Sequence, residues 1–415
     1  MKGMTIRANY LSMLLFGIIF FQLNMFYLVD QSQLPIKFQD IAIFLEVVFF
    51  LTVYLKVDTK VDYTYKNLGK WLFIVPIVLG CTSAMMGYIR YNQPFFMGVR
   101  AQRAWIAAML MYYPLSTAIR TGRYSIEKLL NLIDKINIVY FLLIFVQYIV
   151  GNRYLFLHIT TNQRYGTIRL YVSTSFLLIS YALHLWKALS NKHIRVGDCF
   201  FIVSTLFTYS FIVKSRMGMI ALMGATIIVL LKQKFTKKNF VIILLACIAL
   251  FVFFNSKAGS EIVKLAFESE ITSTENDTAL IRDVGRTFYI SEVKSSLKTF
   301  IFGCGYINTD WKQTVRATRT DENIFAVDNG LYGLVFMYGM IFLCWVVVLY
   351  FRYIKNAFKN KNDFGVCIFI VGILGSYSLY PECYRICIAF PLTCVIFEDM
   401  CYRKKQKKIE TQKEL

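Results

Sequence analysis

The chain is 415 residues long, 57% hydrophobic and only 17% charged, against about 45–50% apolar and about 25% charged in ordinary globular proteins. So little polar material cannot clothe a water-facing exterior, which excludes a soluble globular protein and predicts an integral membrane protein. The formal net charge of +21 would suggest nucleic-acid binding in a soluble chain, but in a membrane protein the same excess fixes topology through cytoplasmic loops, and no nucleic-acid partner is expected.

In chain order, apolar runs predict about twelve transmembrane helices, near residues 10–29, 41–55, 71–88, 104–119, 136–150, 171–189, 200–213, 217–231, 241–254, 331–351, 364–380 and 386–397. The expected fold class is therefore all-α and polytopic. Placing both termini in the cytoplasm puts more than half of the basic residues on inner segments, among them Lys56, Lys60, Lys66 and Lys70, then Lys232, Lys234, Lys237 and Lys238, and the tail from Arg403 to Lys413. That distribution follows the positive-inside rule. The expected organisation is nine spans over 1–254, a long extracytoplasmic loop with an amphipathic helix over 255–329, three spans over 330–398 and a basic cytoplasmic tail over 399–415.

The first run follows Lys2 and Arg7 as a signal peptide would, but no small-x-small cleavage pattern follows it, so it is expected to be an uncleaved span. Glu46 is the clearest acid inside a span. Before the sixth span stands Asn162-Gln163-Arg164-Tyr165-Gly166-Thr167-Ile168-Arg169. Its two arginines fit either an anion site or interfacial anchoring with Tyr165 in an aromatic belt. Residues 199–231 are too many for one ordinary span and too few for two full ones, and Lys214-Ser215-Arg216-Met217-Gly218 interrupts them. A hairpin of two short helices would hold that turn below the outer surface, where a charged side chain is tolerated mainly beside water or a partner. Arg216 is a functional candidate on that ground.

The 255–329 segment is the only long stretch of ordinary soluble composition. Asp277 is expected to cap a helix over about 278–300, with an apolar stripe of Leu280, Val284, Phe288, Val293, Leu297 and Phe300 resting on the outer membrane face. Arg282 and Arg286 lie one turn apart beside that stripe, continued by Lys294 and Lys298. Gly303-Cys304-Gly305 follows, then Asp328-Asn329 at the mouth of the tenth span. The ten cysteines lie mostly in or beside spans, Cys304 and Cys383 being the two outside ones, and apolar filling is expected rather than a disulfide. With no CxxC, no HExxH and only three histidines, no metal site is expected.

Arginines on several outer segments keep their charge when desolvated and bind phosphate with a planar fork. They suit a pyrophosphate whose hydrophobic tail stays in lipid, such as a polyprenyl-diphosphate-linked substrate. The order Arg-x-Gly before a middle span, Ser-Arg-x-Gly at an outer hairpin, a long outer loop with arginines ending in Gly-x-Gly, and a polar residue plus Asn entering a Gly-containing span resembles the O-antigen polymerase (Wzy-type) and O-antigen ligase superfamily. The resemblance covers roughly residues 153–339.

What the resemblance implies is a C-type glycosyltransferase fold and a metal-independent, cofactor-free enzyme in the bacterial cytoplasmic membrane with its active site facing outward. Its partners would be lipid-linked oligosaccharide donor and acceptor, membrane lipid, a chain-length regulator and a flippase. Arg216, Arg286 and Asp328 would be catalytic; Arg164, Arg169, Arg282, Ser215, Gly303, Gly305 and Asn329 would bind diphosphate or glycan. Asp328 stands where ligase members commonly carry histidine, which favours polymerisation of repeat units into O-antigen, capsule or exopolysaccharide over ligase-type transfer. The reading from another class is a transporter or flippase of lipid-linked oligosaccharides. Against it stands the single long loop, which breaks any six-plus-six repeat.

Overall fold

A computed structural model describes residues 2–55, 67–151, 154–164, 167–191, 193–232, 273–374 and 388–413. The chain is mostly helical, and the described strands form one short ribbon. Two described helices, Ile126–Val150 and Met340–Lys359, are long and apolar enough to cross a membrane, with mean hydropathies of 2.0 and 1.5. Four other apolar helices are shorter: Asn9–Gln22, Val196–Ile212, Gly218–Leu231 and Asp363–Ile373. The expected ninth span, 241–254, and parts of the eleventh and twelfth lie outside the described residues.

Two compact units partition the chain. The first comprises Met1–Leu68, Met111–Val263 and Arg352–Leu415. It contains α1 (Lys2–Gln22), α2 (Phe38–Tyr54), and, from the second stretch, α5 (Tyr112–Arg120), α6 (Ile126–Val150), α7 (Ser175–Ser190), α8 (Val196–Phe207) and α9 (Arg216–Leu231). The antiparallel ribbon β1 (Thr161–Arg164) and β2 (Thr167–Leu170) precedes α7. Helix α6 starts where Ser125 accepts a hydrogen bond from the Lys128 N–H at 3.3 Å. Helix α7 is buried without a break from Ser175 to Leu185, so its apolar residues cover every face, as in a helix surrounded by neighbours. Two further helices, α15 (Asp363–Ile373) and α16 (Ala389–Lys413), complete the unit. Buried Glu398 on α16 accepts hydrogen bonds from the Tyr112 and Tyr353 hydroxyls at 2.8 Å and from the Leu68 N–H at 3.1 Å. That carboxylate ties three sequence-distant stretches together.

The second unit comprises Gly69–Leu110 and Lys264–Phe351. It holds α3 (Val75–Tyr91) and α4 (Phe95–Leu110), then α10 (Ser273–Lys294), α11 (Leu297–Phe302), α12 (Lys312–Ala317), α13 (Leu331–Tyr338) and the start of α14 (Met340–Lys359). Two predicted single spans are broken helices. Residues 104–119 divide at Met111 between α4 and α5, because Pro114 has no N–H to offer the Leu110 carbonyl. Residues 331–351 divide at Gly339, whose φ is +76°. There the backbone of 301–304 crosses the break: the Cys304 N–H donates to the Phe336 carbonyl at 2.6 Å, and a Cβ on Gly303 would lie 2.6 Å from the Gly339 nitrogen.

The long-loop helix also differs from the expected 278–300. Helix α10 begins at Ser273, so Asp277 lies inside it, and it ends at Lys294 because Ser296 and Thr299 form a reciprocal cap that starts α11. Val284, Leu297 and Phe300 of the predicted stripe are exposed, and the face packed on protein is Gly285, Tyr289 and Val293. Periodicity marked the apolar residues; packing selected a glycine for close approach and a tyrosine whose ring meets Phe336 at 4.6 Å while its hydroxyl donates to the Ile324 carbonyl at 3.0 Å.

Candidate functional site

In the first unit, the segment between α8 and α9 is a constrained turn, as is Asn24–Tyr27, where four successive residues have positive φ. Residues Thr208–Ile212 form a single π turn, the wide i→i+5 helix that breaks regular packing. Lys214 follows with φ +50°, a left-handed conformation that side-chain-bearing residues rarely adopt, although it is buried. Ser215 then caps α9, its hydroxyl accepting from the Gly218 N–H at 3.2 Å, and Arg216 is the first helical residue. The Ser215 N–H donates back to the Tyr209 carbonyl at 3.1 Å. Gly218 has no room for a side chain, since a Cβ there would lie 2.5 Å from the Tyr209 ring, and the Tyr209 hydroxyl bonds Thr174 at 2.8 Å.

The ribbon places Arg164 opposite Thr167 and Arg169 opposite Asn162. Arg169 reaches the turn: its Nε donates to the Val213 carbonyl at 2.8 Å, and its guanidinium lies 4.4 Å from the Tyr171 ring centroid. The side chains of Arg164, Arg216 and Asp328 lie outside the described ones.

In the second unit, Arg282 and Arg286 are both exposed on α10. Arg286 pairs with Asp283 at 3.1 Å and lies 5.9 Å from the Tyr332 ring centroid. Asn329 is buried at the end of the turn Ala326–Asn329, which also contains Asp328. Its Nδ2 donates to the Phe325 carbonyl at 3.0 Å while Oδ1 is buried with no partner among the described residues. Gly285 makes room for it, because a Cβ there would sit 2.7 Å from Nδ2. The structure thus brings Asn329 against the helix that carries Arg282 and Arg286. Gly303 and Gly305, with φ of +78° and +106°, serve backbone crossings against Gly339 and Gly87. They are packing devices rather than parts of an open loop.

Three features were not anticipated. Arg90 at the end of α3 pairs with Glu292 on α10 and donates to the Cys304 sulfur at 3.3 Å. Cys304 is a free, fully buried thiol; burial pushes it up to about 12, with Arg90 opposing and Glu292 adding to the shift. Buried Gln93 holds the stretch after it, donating to the Tyr306 carbonyl at 3.1 Å and accepting from the Asn308 N–H at 3.2 Å and the Thr314 hydroxyl at 3.0 Å. In the first unit, His184 on α7 stands between Asp198 of α8 at 2.6 Å and Asp134 of α6 at 3.1 Å, with Ser180 donating to Asp134 at 2.7 Å. Polar residues one or two turns apart in apolar helices, Asp134 with Asn137 and Ser180 with His184, were the available signal. Glu46 is buried and accepts from Gln22 at 2.9 Å.

Among the described residues no group of histidine, cysteine and carboxylate side chains is arranged to hold a metal ion. No protein-family model matches the chain, and no curated protein matches it in sequence.

Proposed function

We propose that the chain is a multi-pass membrane glycosyltransferase of about twelve spans that polymerises polyprenyl-diphosphate-linked oligosaccharide repeat units at the outer face of the bacterial cytoplasmic membrane. The observation that carries this reading is the turn opening α9: a π turn, a left-handed buried Lys214 and a serine cap put Arg216 at the first position of an apolar helix. Backbone of this kind, held out of its relaxed conformation by its surroundings, clusters at functional sites. A helix N-terminus with its N–H groups and an arginine beside it favours an anion.

In the proposed reaction a hydroxyl oxygen of the acceptor repeat unit forms a bond to the anomeric carbon of the donor, and the anomeric C–O bond to the diphosphate breaks. The hydroxyl proton passes to the Asp328 carboxylate, and the electron pair leaves on the polyprenyl diphosphate. Negative charge grows on that leaving group in the transition state, so a preorganised guanidinium stabilises it more than the ground state.

The test uses purified protein in liposomes supplied with lipid-linked repeat units and no energy source. Arg216→Ala and Arg286→Ala should each leave single repeat units unextended, and Arg216→Lys should also fail because an ammonium lacks the planar fork. Wild-type chain lengths in either alanine variant, or movement of substrate across the bilayer with no new glycosidic bond in the wild type, would refute the assignment.

A further inference from the structure

Arg169 looked, as a sequence, like one more arginine for the diphosphate. Its surroundings give it a different task. The Nε–H, the donor nearest the aliphatic stem, points at the Val213 carbonyl at 2.8 Å. Val213 is the residue that closes the π turn, its own N–H donating to the Thr208 carbonyl at 2.8 Å, so its carbonyl belongs to a helix end where regular partners run out. The flat face of the guanidinium is occupied as well: it lies 4.4 Å from the Tyr171 ring centroid, and one terminal nitrogen donates to the Tyr171 hydroxyl at 3.3 Å. Tyr171 immediately follows β2 and its N–H donates to the Thr160 carbonyl at 3.1 Å, so this ring belongs to the ribbon.

The residue next to Val213 is the left-handed Lys214, and two residues on is Arg216. A conformation that costs energy persists only where neighbours over-determine it. Here the neighbours act from two sides. Tyr209 accepts from the Ser215 N–H, fills the space a Gly218 side chain would need and is itself anchored on Thr174. Arg169, anchored on Tyr171, grips the turn at Val213.

We infer that Arg169 is a positioning residue: it fixes the turn that presents Arg216, acting through the Val213 carbonyl, and does not bind the diphosphate itself. This inference rests on the proposed role of Arg216 and narrows it, since within the first unit it separates the arginine that meets the anion from the one that holds it in place. A misplacement of about 1 Å can cost about 100-fold in rate, so losing the grip should appear in kcat rather than KM.

The experiment compares Arg169→Lys with Tyr171→Leu in the full-length protein reconstituted in liposomes. The substrate is lipid-linked repeat units extracted from cells lacking the gene for this chain. Tyr171→Leu removes the ring under the guanidinium and touches no phosphate donor. Both variants should lower kcat for chain extension by about 10- to 100-fold with KM within about 3-fold of wild type. Both should also lose hydrogen-exchange protection of the amides over 213–219. Raised KM in Arg169→Lys together with wild-type kinetics in Tyr171→Leu would overturn the inference in favour of direct binding. So would unchanged exchange in both variants. The exchange arm needs no turnover: if the wild type extends nothing, the polymerase reading fails, while exchange still decides whether Arg169 holds the turn.

Discussion

Removing the imidazole of His184 should destabilise the first unit more than most single changes could. Both ring nitrogens lie within hydrogen-bond distance of carboxylate oxygens, Nδ1 of Asp198 at 2.6 Å and Nε2 of Asp134 at 3.1 Å. Deleting the ring leaves the cost of burying Asp198 standing, and removing one member of a buried pair typically costs about 3–5 kcal/mol. In His184→Leu, Asp134 keeps the Ser180 hydroxyl and Lys187 at 3.9 Å, whereas among the described residues Asp198 keeps a long contact of 3.4 Å from the Arg195 N–H. The damage therefore falls mainly on Asp198. At about 2.1 cal/mol/K of unfolding entropy per residue, the 415-residue chain should lose about 3–6 °C in Tm. Fluorescence-detected size exclusion after stepwise heating in detergent would measure it, and adding Asp198→Asn should recover most of the loss. A His184→Leu protein within about 1 °C of wild type, or a double variant less stable than the single one, would refute the reasoning.

Two other predictions concern the second unit. Gly305→Ala places a Cβ in the backbone of Gly87 at a φ of +106° and should abolish recovery of monodisperse protein. As a control from the first unit, Gly197→Ala, with nothing within 4 Å, should express like wild type. Cys304, fully buried and with its thiol pushed up to about 12 by that burial, carries almost no thiolate at neutral pH. It should therefore escape N-ethylmaleimide at pH 7–8 in a mass-spectrometric map of the folded protein. Rapid modification there would contradict the packing of the Gly303–Gly305 turn.

What the sequence discloses and what it conceals follow from the range of the interactions involved. The break at 213–216 is legible because charge and glycine interrupt an apolar run, a signal carried by neighbouring residues. The grip of Arg169 on Val213 is not, since it joins residues 44 apart. The exposed arginines of α10 are legible as a charged row, whereas its packed face is not, because glycine and tyrosine do not register as an apolar stripe. The burial of Asn329 beside Gly285 and the ion pair of Arg90 with Glu292, 202 positions away, depend on tertiary approach that periodicity cannot encode. The helix break at Gly339 was equally hidden: a lone glycine in an apolar run reads as continuous helix until a second backbone is seen to cross it.

That crossing bears on how segments of this protein can be exchanged. Exchanging the 255–329 segment alone between related sequences would strand Gly87, Gln93 and Gly339, whose shapes and hydrogen bonds are completed by residues 301–314. A transplant that keeps its fold must carry 69–110 and 264–351 together. The unit of recombination is thus a discontinuous one, and a library built by swapping contiguous loops would consist largely of chains unable to fold.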